Sequence, residues 1–234
     1  MAVFKIFPDK DATLYSLFPT MNTGLDEIVE ATLTTFSYSQ PNPQASRFLI
    51  KFAQEDLIAA FGPMSDATYN SGSWNAKLQC FVSTATGLAT TSSVVCYPLA
   101  QDWDMGTGQF ADSPETRNGV CWYSTSSYYT AASSWATNAS EYFMTPGGGS
   151  WTGSYYGSQS FDYKASKDPN IDVTRIVDCW QRKGKAIILK GEHECNDTET
   201  IVLQDCELTA LYYCGLWRKP DYQLSIGKAM NLLG

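Results

Sequence analysis

The chain has 234 residues, of which 44% are hydrophobic and 17% charged. This composition is typical of a globular protein and excludes a disordered one, and at this length about 70–75% of the unfolded chain's surface can be buried. The formal net charge of −8 argues against nucleic-acid binding, because neutralising phosphates requires clustered Lys and Arg.

The first part of the chain predicts short strands and one helix. Alternating polarity and the run RFLIKF indicate three strands: Asp11–Ser16, Glu27–Thr34 and Arg47–Phe52. Gly24 follows Asn22 and Thr23 and is expected to take a left-handed turn conformation. Apolar residues at helical spacing predict a helix at Ala53–Phe61, which Gly62 and Pro63 end.

The middle of the chain predicts a hairpin followed by a long loop. The strands Ala76–Thr84 and Ser92–Leu99 are separated by a Thr-Gly-Leu-Ala connection that suits a hairpin. From Asp102 to Gln159 the sequence is loop-like, with short strands expected in GVCWY and SEYFM. An ordered loop of this length is usually functional, and the alternative is an extended segment that packs on the domain.

The last part of the chain predicts a helix and then three strands. IDVTRIVDCWQRKGK indicates a helix of two to three turns, with Ile171, Val173, Ile176, Val177 and Trp180 on its apolar side and Asp172 or Thr174 as its cap. The strands are Ala186–Gly191, Leu208–Gly215 and Tyr222–Gly227. Many short strands, two short helices and no βαβ alternation predict an all-β fold. We expect a single β-sandwich of the jelly-roll type over residues 1–227, followed by a short C-terminal tail at 228–234.

Several features bear on where the protein acts. No apolar run approaches the length of about 18–20 residues that a membrane-spanning helix requires, and MAVFKIFPDKD lacks the features of a signal peptide. We therefore expect no membrane insertion and no export. The seven cysteines form no C-x-x-C pair, which favours buried, unpaired thiols.

The residues that commonly perform catalysis give no convincing site. The single histidine, His193, lacks the second histidine of H-E-x-x-H, and no G-x-S-x-G motif is present. Paired carboxylates for glycoside hydrolysis could come from a set of acidic residues whose spacing selects no pair: Asp102, Asp104, Asp112, Glu115 and Glu141. We therefore predict no catalytic residues, no enzyme activity and no cofactor. Calcium binding near Asp102 and Asp104 stays open as an alternative.

A series of aromatic residues among Ser, Thr and Gly is the best candidate for a binding surface. Its members are Tyr128, Tyr129, Trp135, Trp151, Tyr155 and Tyr156. Tyr and Trp anchor protein interfaces at a low entropy cost, and their rings also stack on sugars. We expect these six side chains to be exposed and to contact other proteins or, alternatively, glycans.

Several segments, taken in order, match a known pattern. They are DATLYSLFPTMNTGLDEIVE, RFLIKF, YPLAQDWDMGTGQFAD with NGVCWY, GGGSWTG with SQSFDY, NIDVTRIVDCW, and LYYCGLWRKPDYQLSI. This order resembles the carbohydrate-binding-module-like DNRLRE jelly-roll domains, in a version that recurs in virion proteins of tailed phages, especially cyanophages. The segment CGLWRKP departs from the family's usual Ser-Arg-acid sequence before the last proline.

The resemblance implies a jelly-roll fold and a place in the virion. From it we expect a non-enzymatic structural protein of a tailed phage, made in the host cytoplasm and located in the tail, baseplate or fibre attachment region. Its partners would be other virion proteins and copies of itself. The alternative is a carbohydrate-binding module that recognises host surface polysaccharide through Trp135, Trp151, Tyr155 and Tyr156, and hydrolysis of such a polysaccharide is a third hypothesis.

Overall fold

The described part of the chain consists mostly of β-strands. A computed structural model describes residues 3–34, 44–61, 75–86, 92–99, 102–127, 134–135, 157–161, 168–181, 200–205 and 222–233. Its elements in chain order are β1 (Lys5–Ile6), β2 (Pro8–Tyr15), β3 (Ile28–Thr34), β4 (Gln44–Phe52), α1 (Gln54–Phe61), β5 (Lys77–Thr86), β6 (Ser92–Leu99), β7 (Gly157–Phe161), β8 (Asn170–Asp172), α2 (Thr174–Gln181), β9 (Thr200–Asp205) and β10 (Tyr222–Leu233). The predominance of strands agrees with the predicted all-β class.

Both helices are short. Each has 8 residues, and neither is long and apolar enough to cross a membrane. At the start of α2 the Asp172 side chain accepts a hydrogen bond from the Thr174 backbone N–H at 3.0 Å, which satisfies one of the donors that a helix N-terminus leaves without an intrahelical partner. The predicted helix is confirmed there, although Ile171 lies in β8, before the helix begins.

The strands form two groups that β4 connects. The pairing order is β7-β6-β9-β4-β3-β10-β5-β8, with β1 added to β10 and β2 to β4, and the pairings within the described residues are all antiparallel. Gln44 and Ala45 of β4 pair with β3, whereas the strand pairs with β2 from Ser46 onward. We call β1, β3, β5, β8 and β10 the β5 group, and β2, β4, β6, β7 and β9 the β4 group.

The larger hydrophobic core takes side chains from both groups. Alternate residues of a strand point to the same face, and the β4 group contributes Phe48, Ile50, Phe52, Val94 and Cys96. The β5 group contributes Ile6, Val29, Ala31, Leu78, Cys80 and Ile171, and the two helices add Leu57, Ile176 and Val177. Burial of each large apolar side chain stabilises the fold by about 1.5–3 kcal/mol. Contacts among these side chains hold the two groups together.

A second core lies on the opposite face of β2 and β4. Leu49 of β4 belongs to it, together with Ala12 and Leu14 of β2, and the loop after β6 supplies Trp103 and Val120. Leu49 is buried even though its neighbours Phe48 and Ile50 point into the larger core. Both faces of the β2–β4 ladder are therefore covered, which explains why RFLIKF is an apolar run with little alternation.

Three sequence-based predictions about the strands differ from the structure. The expected hairpin between β5 and β6 is wrong, because β5 pairs with β8 and β10 while β6 pairs with β7 and β9. Strands β7 and β9 were not predicted, and Gly157–Phe161 was read partly as loop. Strand β10 continues to Leu233, where a tail from residue 228 was expected, because its last residues pair with β1 and β5. The predicted strands at 186–191 and 208–215 lie outside the described residues.

Two adjacent substitutions test whether both faces of β4 are covered. Leu49→Ala and Ile50→Ala should each lower the free energy of unfolding by about 2–5 kcal/mol, because each removes a fully buried side chain. Urea denaturation measures both, with Ile58→Ala on the exposed face of α1 as a control that should change stability by about 0.5 kcal/mol or less. If either core variant were as mild as the control, one face of β4 would be open to solvent.

Candidate functional site

The six aromatic residues predicted as a binding surface are mostly beyond the description. Tyr128, Tyr129, Trp151, Tyr155 and Tyr156 lie outside the described residues, so their placement stays a prediction. Trp135 is described, and it lies in the second core with only 5% of its surface exposed.

The burial of Trp135 corrects the expectation that this ring is exposed. Its indole Nε1–H donates a hydrogen bond to the Cys121 carbonyl oxygen at 3.1 Å, and its ring belongs to the same cluster as Trp103 and Val120. A buried Trp needs such a partner for its polar N–H. Here the large ring covers the outer face of β2 and β4, and the residue serves the core.

The two motifs most prominent in the sequence meet at the side chain of Asn22, in the turn between β2 and β3. Asn22 is fully buried, and its Nδ2 donates to the carbonyl oxygens of Met105 at 2.7 Å and Val120 at 2.9 Å. Its Oδ1 accepts from the backbone N–H of Gly108 at 2.8 Å, and its backbone N–H donates to the Thr116 carbonyl at 3.0 Å. One side chain therefore attaches the loop after β6 at three points.

Three glycines let the loop after β6 approach Asn22 closely, and Gly24 lets the turn approach Met105. A Cβ atom on Gly106, Gly108 or Gly119 would overlap atoms of Asn22, and a Cβ on Gly24 would overlap the Met105 carbonyl group. Gly106 also has a φ of 73°, a conformation that favours glycine. The predicted left-handed conformation at Gly24 is wrong, because the positive φ belongs to Gly106; Gly24 is needed for close approach.

Next to Asn22, Thr23 ties the same turn to strand β2. Its Oγ1 accepts from the Thr13 backbone N–H at 2.9 Å and donates to the Thr13 carbonyl at 2.7 Å. The Thr13 hydroxyl in turn accepts from the Glu30 backbone N–H at 3.1 Å. A threonine side chain thus takes the place of a pairing strand at this edge of β2, and the turn that holds Asn22 is fixed in position.

The guanidinium group of Arg47 contacts the loop after β6 at Trp122. Arg47 is buried in β4, and its guanidinium carbon lies 5.2 Å from the ring centroid of Trp122. This distance is within the range of a cation–π contact. Arg47 therefore packs the GVCWY segment onto the sheet, and that segment forms loop contacts where the sequence suggested a short strand.

Three of the four candidate carboxylates in the described residues are engaged in local contacts, and the fourth, Asp104, has backbone hydrogen bonds to Val120 and Thr125. Asp102 Oδ1 accepts from Lys51 Nζ at 2.8 Å, and this bond holds the pKa of Asp102 below its usual value. Glu115 Oε2 lies 3.1 Å from the guanidinium of Arg117, and Asp112 Oδ2 accepts a hydrogen bond from the backbone N–H of Gln109, three residues earlier in the same loop. These contacts stabilise the loop. Glu141 lies outside the described residues.

Metal sites and reactive thiols require particular arrangements of side chains. Within the described part of the chain, no group of three or more His, Cys, Asp and Glu side chains is arranged to hold a metal ion. Burial raises the pKa of the Cys80 thiol to about 12, so this thiol is protonated at neutral pH and is a poor nucleophile. Cys80, Cys96 and Cys121 are buried and form no disulfide. His193 lies outside the described residues.

An exposed aromatic residue that the sequence analysis missed lies at the outer end of the loop. Phe110 is 49% exposed and follows Gln109 in a turn in which Asp112 Oδ2 accepts from the Gln109 N–H at 2.9 Å. Its ring centroid lies 5.1 Å from that of Tyr15 and 5.6 Å from that of Phe18. Turns usually carry small or polar residues, so a phenylalanine in GQFAD was the available signal. The arrangement suits contact with another molecule.

No protein-family model matches the sequence, and a search of curated proteins finds no match. The function proposed below is therefore based on the contacts described above and on the motif resemblance.

Removing the Asn22 side chain should destabilise the protein strongly. Asn22→Ala leaves the Met105 and Val120 carbonyls and the Gly108 N–H without their partner, at a cost of about 3–5 kcal/mol in the free energy of unfolding. Asn118→Ala is the matched control, because its exposed amide bonds to Thr107 alone among the described residues, and its loss should cost about 1 kcal/mol. Equal losses in the two variants by urea denaturation would contradict the central role of Asn22.

Substitution of Trp135 should affect stability. Trp135→Phe keeps a ring but loses the hydrogen bond to Cys121, so we expect a loss of about 1 kcal/mol, and Trp135→Ala should cost about 3–5 kcal/mol because it leaves a cavity. Thermal and urea unfolding measure both losses. A Trp135→Ala variant with unchanged stability would indicate that this ring lies on the surface.

Proposed function

We propose that the chain is a non-enzymatic structural protein of a tailed phage virion, built as one β-sandwich of the jelly-roll type. We place it in the tail, baseplate or fibre attachment region. Its role would be to form interfaces with other virion proteins and with copies of itself. The order of the motifs, which resembles that of phage virion proteins, suggests this setting.

The sandwich is supported by the way the larger core is built. Side chains from the β4 group, such as Phe48 and Val94, share one cluster with side chains from the β5 group, such as Leu78 and Ile171. Two antiparallel layers that face each other across such a core are the basis of sandwich folds. Strand β4, which pairs with both groups, would be the point where the layers join.

The observation that most supports a structural role is the convergence of the motifs on Asn22. Asn22 and Gly24 come from the first motif, and Gly106, Gly108 and Gly119 come from the second, nearly a hundred residues later. Their contacts are hydrogen bonds between the Asn22 amide and backbone groups, together with close packing of the glycines, and both fix the loop. The motifs that resemble the phage domains are thus explained by architecture, which suits a protein that works through interfaces.

The alternative, a carbohydrate-binding module, has less support. Of the four rings proposed to contact host polysaccharide, Trp135 is buried, while Trp151, Tyr155 and Tyr156 lie outside the described residues. Of the nine large apolar side chains that are exposed in the described residues, five are aliphatic, three are Phe and one is Tyr123. Aliphatic side chains do not stack on sugar rings as Trp and Tyr do, so this mostly non-stacking set favours a protein interface.

Quantitative mass spectrometry of purified particles tests the proposal. Particles of the phage that encodes this chain should contain it at a constant ratio to the major capsid protein, and the ratio should survive density-gradient purification. An abundant host protein serves as the control for carry-over and should fall with each step. If the chain were depleted in parallel with the host protein, it would not be a virion component.

A further inference from the structure

A set of exposed apolar side chains lies where the turn after β2 meets the loop after β6. Leu17, Leu25 and Phe110 are 44%, 46% and 49% exposed, and Phe18 contacts Phe110 edge-on. We call these four residues the Phe110 patch. Single exposed apolar residues are common on protein surfaces, but several gathered on adjoining loops indicate an interaction site.

The loops that carry the Phe110 patch are joined by three hydrogen bonds, each of which involves a backbone group. The Leu25 N–H donates to the Gly108 carbonyl at 2.9 Å, and Gln109 Nε2 donates to the Leu25 carbonyl at 3.1 Å. The Phe110 N–H donates to Asp26 Oδ1 at 2.9 Å. The apolar side chains are thus presented on a fixed backbone, which lowers the entropy cost of binding a partner.

The ring of Phe110 is also supported from below. It lies against Tyr15, whose hydroxyl donates to Glu30 Oε2 at 2.6 Å. Burial, followed by this hydrogen bond, raises the pKa of Tyr15 above its usual value, so the hydroxyl stays protonated and continues to donate. The half-exposed ring of Phe110 therefore packs on the buried ring of Tyr15, which is itself hydrogen-bonded.

The surroundings of the patch are strongly acidic. Residues 16–30 and 107–118 contain the acidic side chains Asp26, Glu27, Glu30, Asp112 and Glu115, and Arg117 is the basic one. Arg117 pairs with Glu115. After this pair the region still carries an excess of negative charge, which attracts cations and repels anions.

This combination selects the kind of partner. Two copies of the chain that met through the same patch would bring two acidic regions together, and like charges facing each other across an interface are unfavourable. The aliphatic Leu17 and Leu25 favour a polypeptide over a sugar. We propose that the Phe110 patch docks a segment of a neighbouring protein in which an apolar side chain is flanked by Lys or Arg. The proposal rests on the structural role given above and identifies one of its interfaces.

A labelled peptide probe tests this surface on the full chain. The probe is a ten-residue peptide with a central Leu-Phe pair between two blocks of four lysines, and fluorescence anisotropy measures its dissociation constant. A second peptide with Ser-Ser at the centre has the same charge. We expect the Leu-Phe peptide to bind about tenfold more tightly than the Ser-Ser peptide. Equal binding of the two peptides would overturn the proposal, because net charge alone would then explain the attraction.

Two variants with matched controls assign the binding to the patch. Phe110→Ser should remove the preference for the Leu-Phe peptide, while Ile58→Ser, on α1 and similarly exposed, should keep it. Glu27→Lys should weaken binding several-fold, and Glu55→Lys, which makes the same charge change on α1, should weaken it less. Glu27→Lys retains every apolar side chain of the patch, so it tests the surface even if Phe110→Ser folds poorly. Equal effects of a variant and its control would overturn the assignment.

The other occupants have their own outcomes. If sedimentation velocity showed a wild-type dimer that Phe110→Ser converts to a monomer, the patch would bind a second copy of the chain. If the wild type bound polysaccharide and Phe110→Ser did not, the patch would bind a glycan. Either result overturns the proposal.

Particle composition separates this inference from the proposed function. If Phe110→Ser chains were present in particles at the wild-type ratio, only the docking surface would be refuted. If the chain were missing from particles but still bound the peptide through the patch, only the virion role would be refuted.

Discussion

The hydrogen bonds of the Asn22 side chain are the interaction on which the described loop structure depends. They attach the segment after β6 to the turn between β2 and β3, in addition to the segment's own backbone hydrogen bonds, such as those of Asp104 with Val120 and Thr125. Asn22 supplies donors and an acceptor to Met105, Gly108 and Val120 from one buried amide. A buried polar group is favourable only when its hydrogen-bonding capacity is used, and here the amide replaces the backbone ladder that a strand would provide.

The fixed loop has consequences on both of its sides. On its inner side Trp103, Val120 and Trp135 cover Leu49 and the β2 residues of the second core, so that β4 is buried on both faces. On its outer side the same backbone presents Phe110 above Tyr15. The same loop backbone therefore completes the second core and also presents the exposed apolar surface. Such a loop can serve as a rigid interface, since rigidity lowers the entropy cost of association.

The sequence predicts the strands in which apolar and polar side chains alternate clearly, because such strands can be recognised without knowing which strands they pair with. The predicted bounds of the strand Ser92–Leu99 agree with those of β6. Its valines and cysteine form a continuous apolar run, which is typical of a buried strand. GSQSF in β7 has no such pattern and becomes a strand through its partner β6. The hairpin between β5 and β6 was wrong because a glycine connection does not reveal that consecutive strands belong to different groups. Trp135 was misread because tryptophan serves cores and surfaces equally well.

The position of the chain within an assembled particle tests the account most directly. A cryo-electron microscopy map of the virion, at a resolution that traces side chains, would show which surface of the domain meets a neighbour. The account predicts density for this chain with Phe110 and Leu25 buried against a basic segment of another virion protein, and with Asn22 inside the domain. A map in which the chain is present but Phe110 faces solvent, or in which its neighbour there is acidic or a sugar, would contradict it.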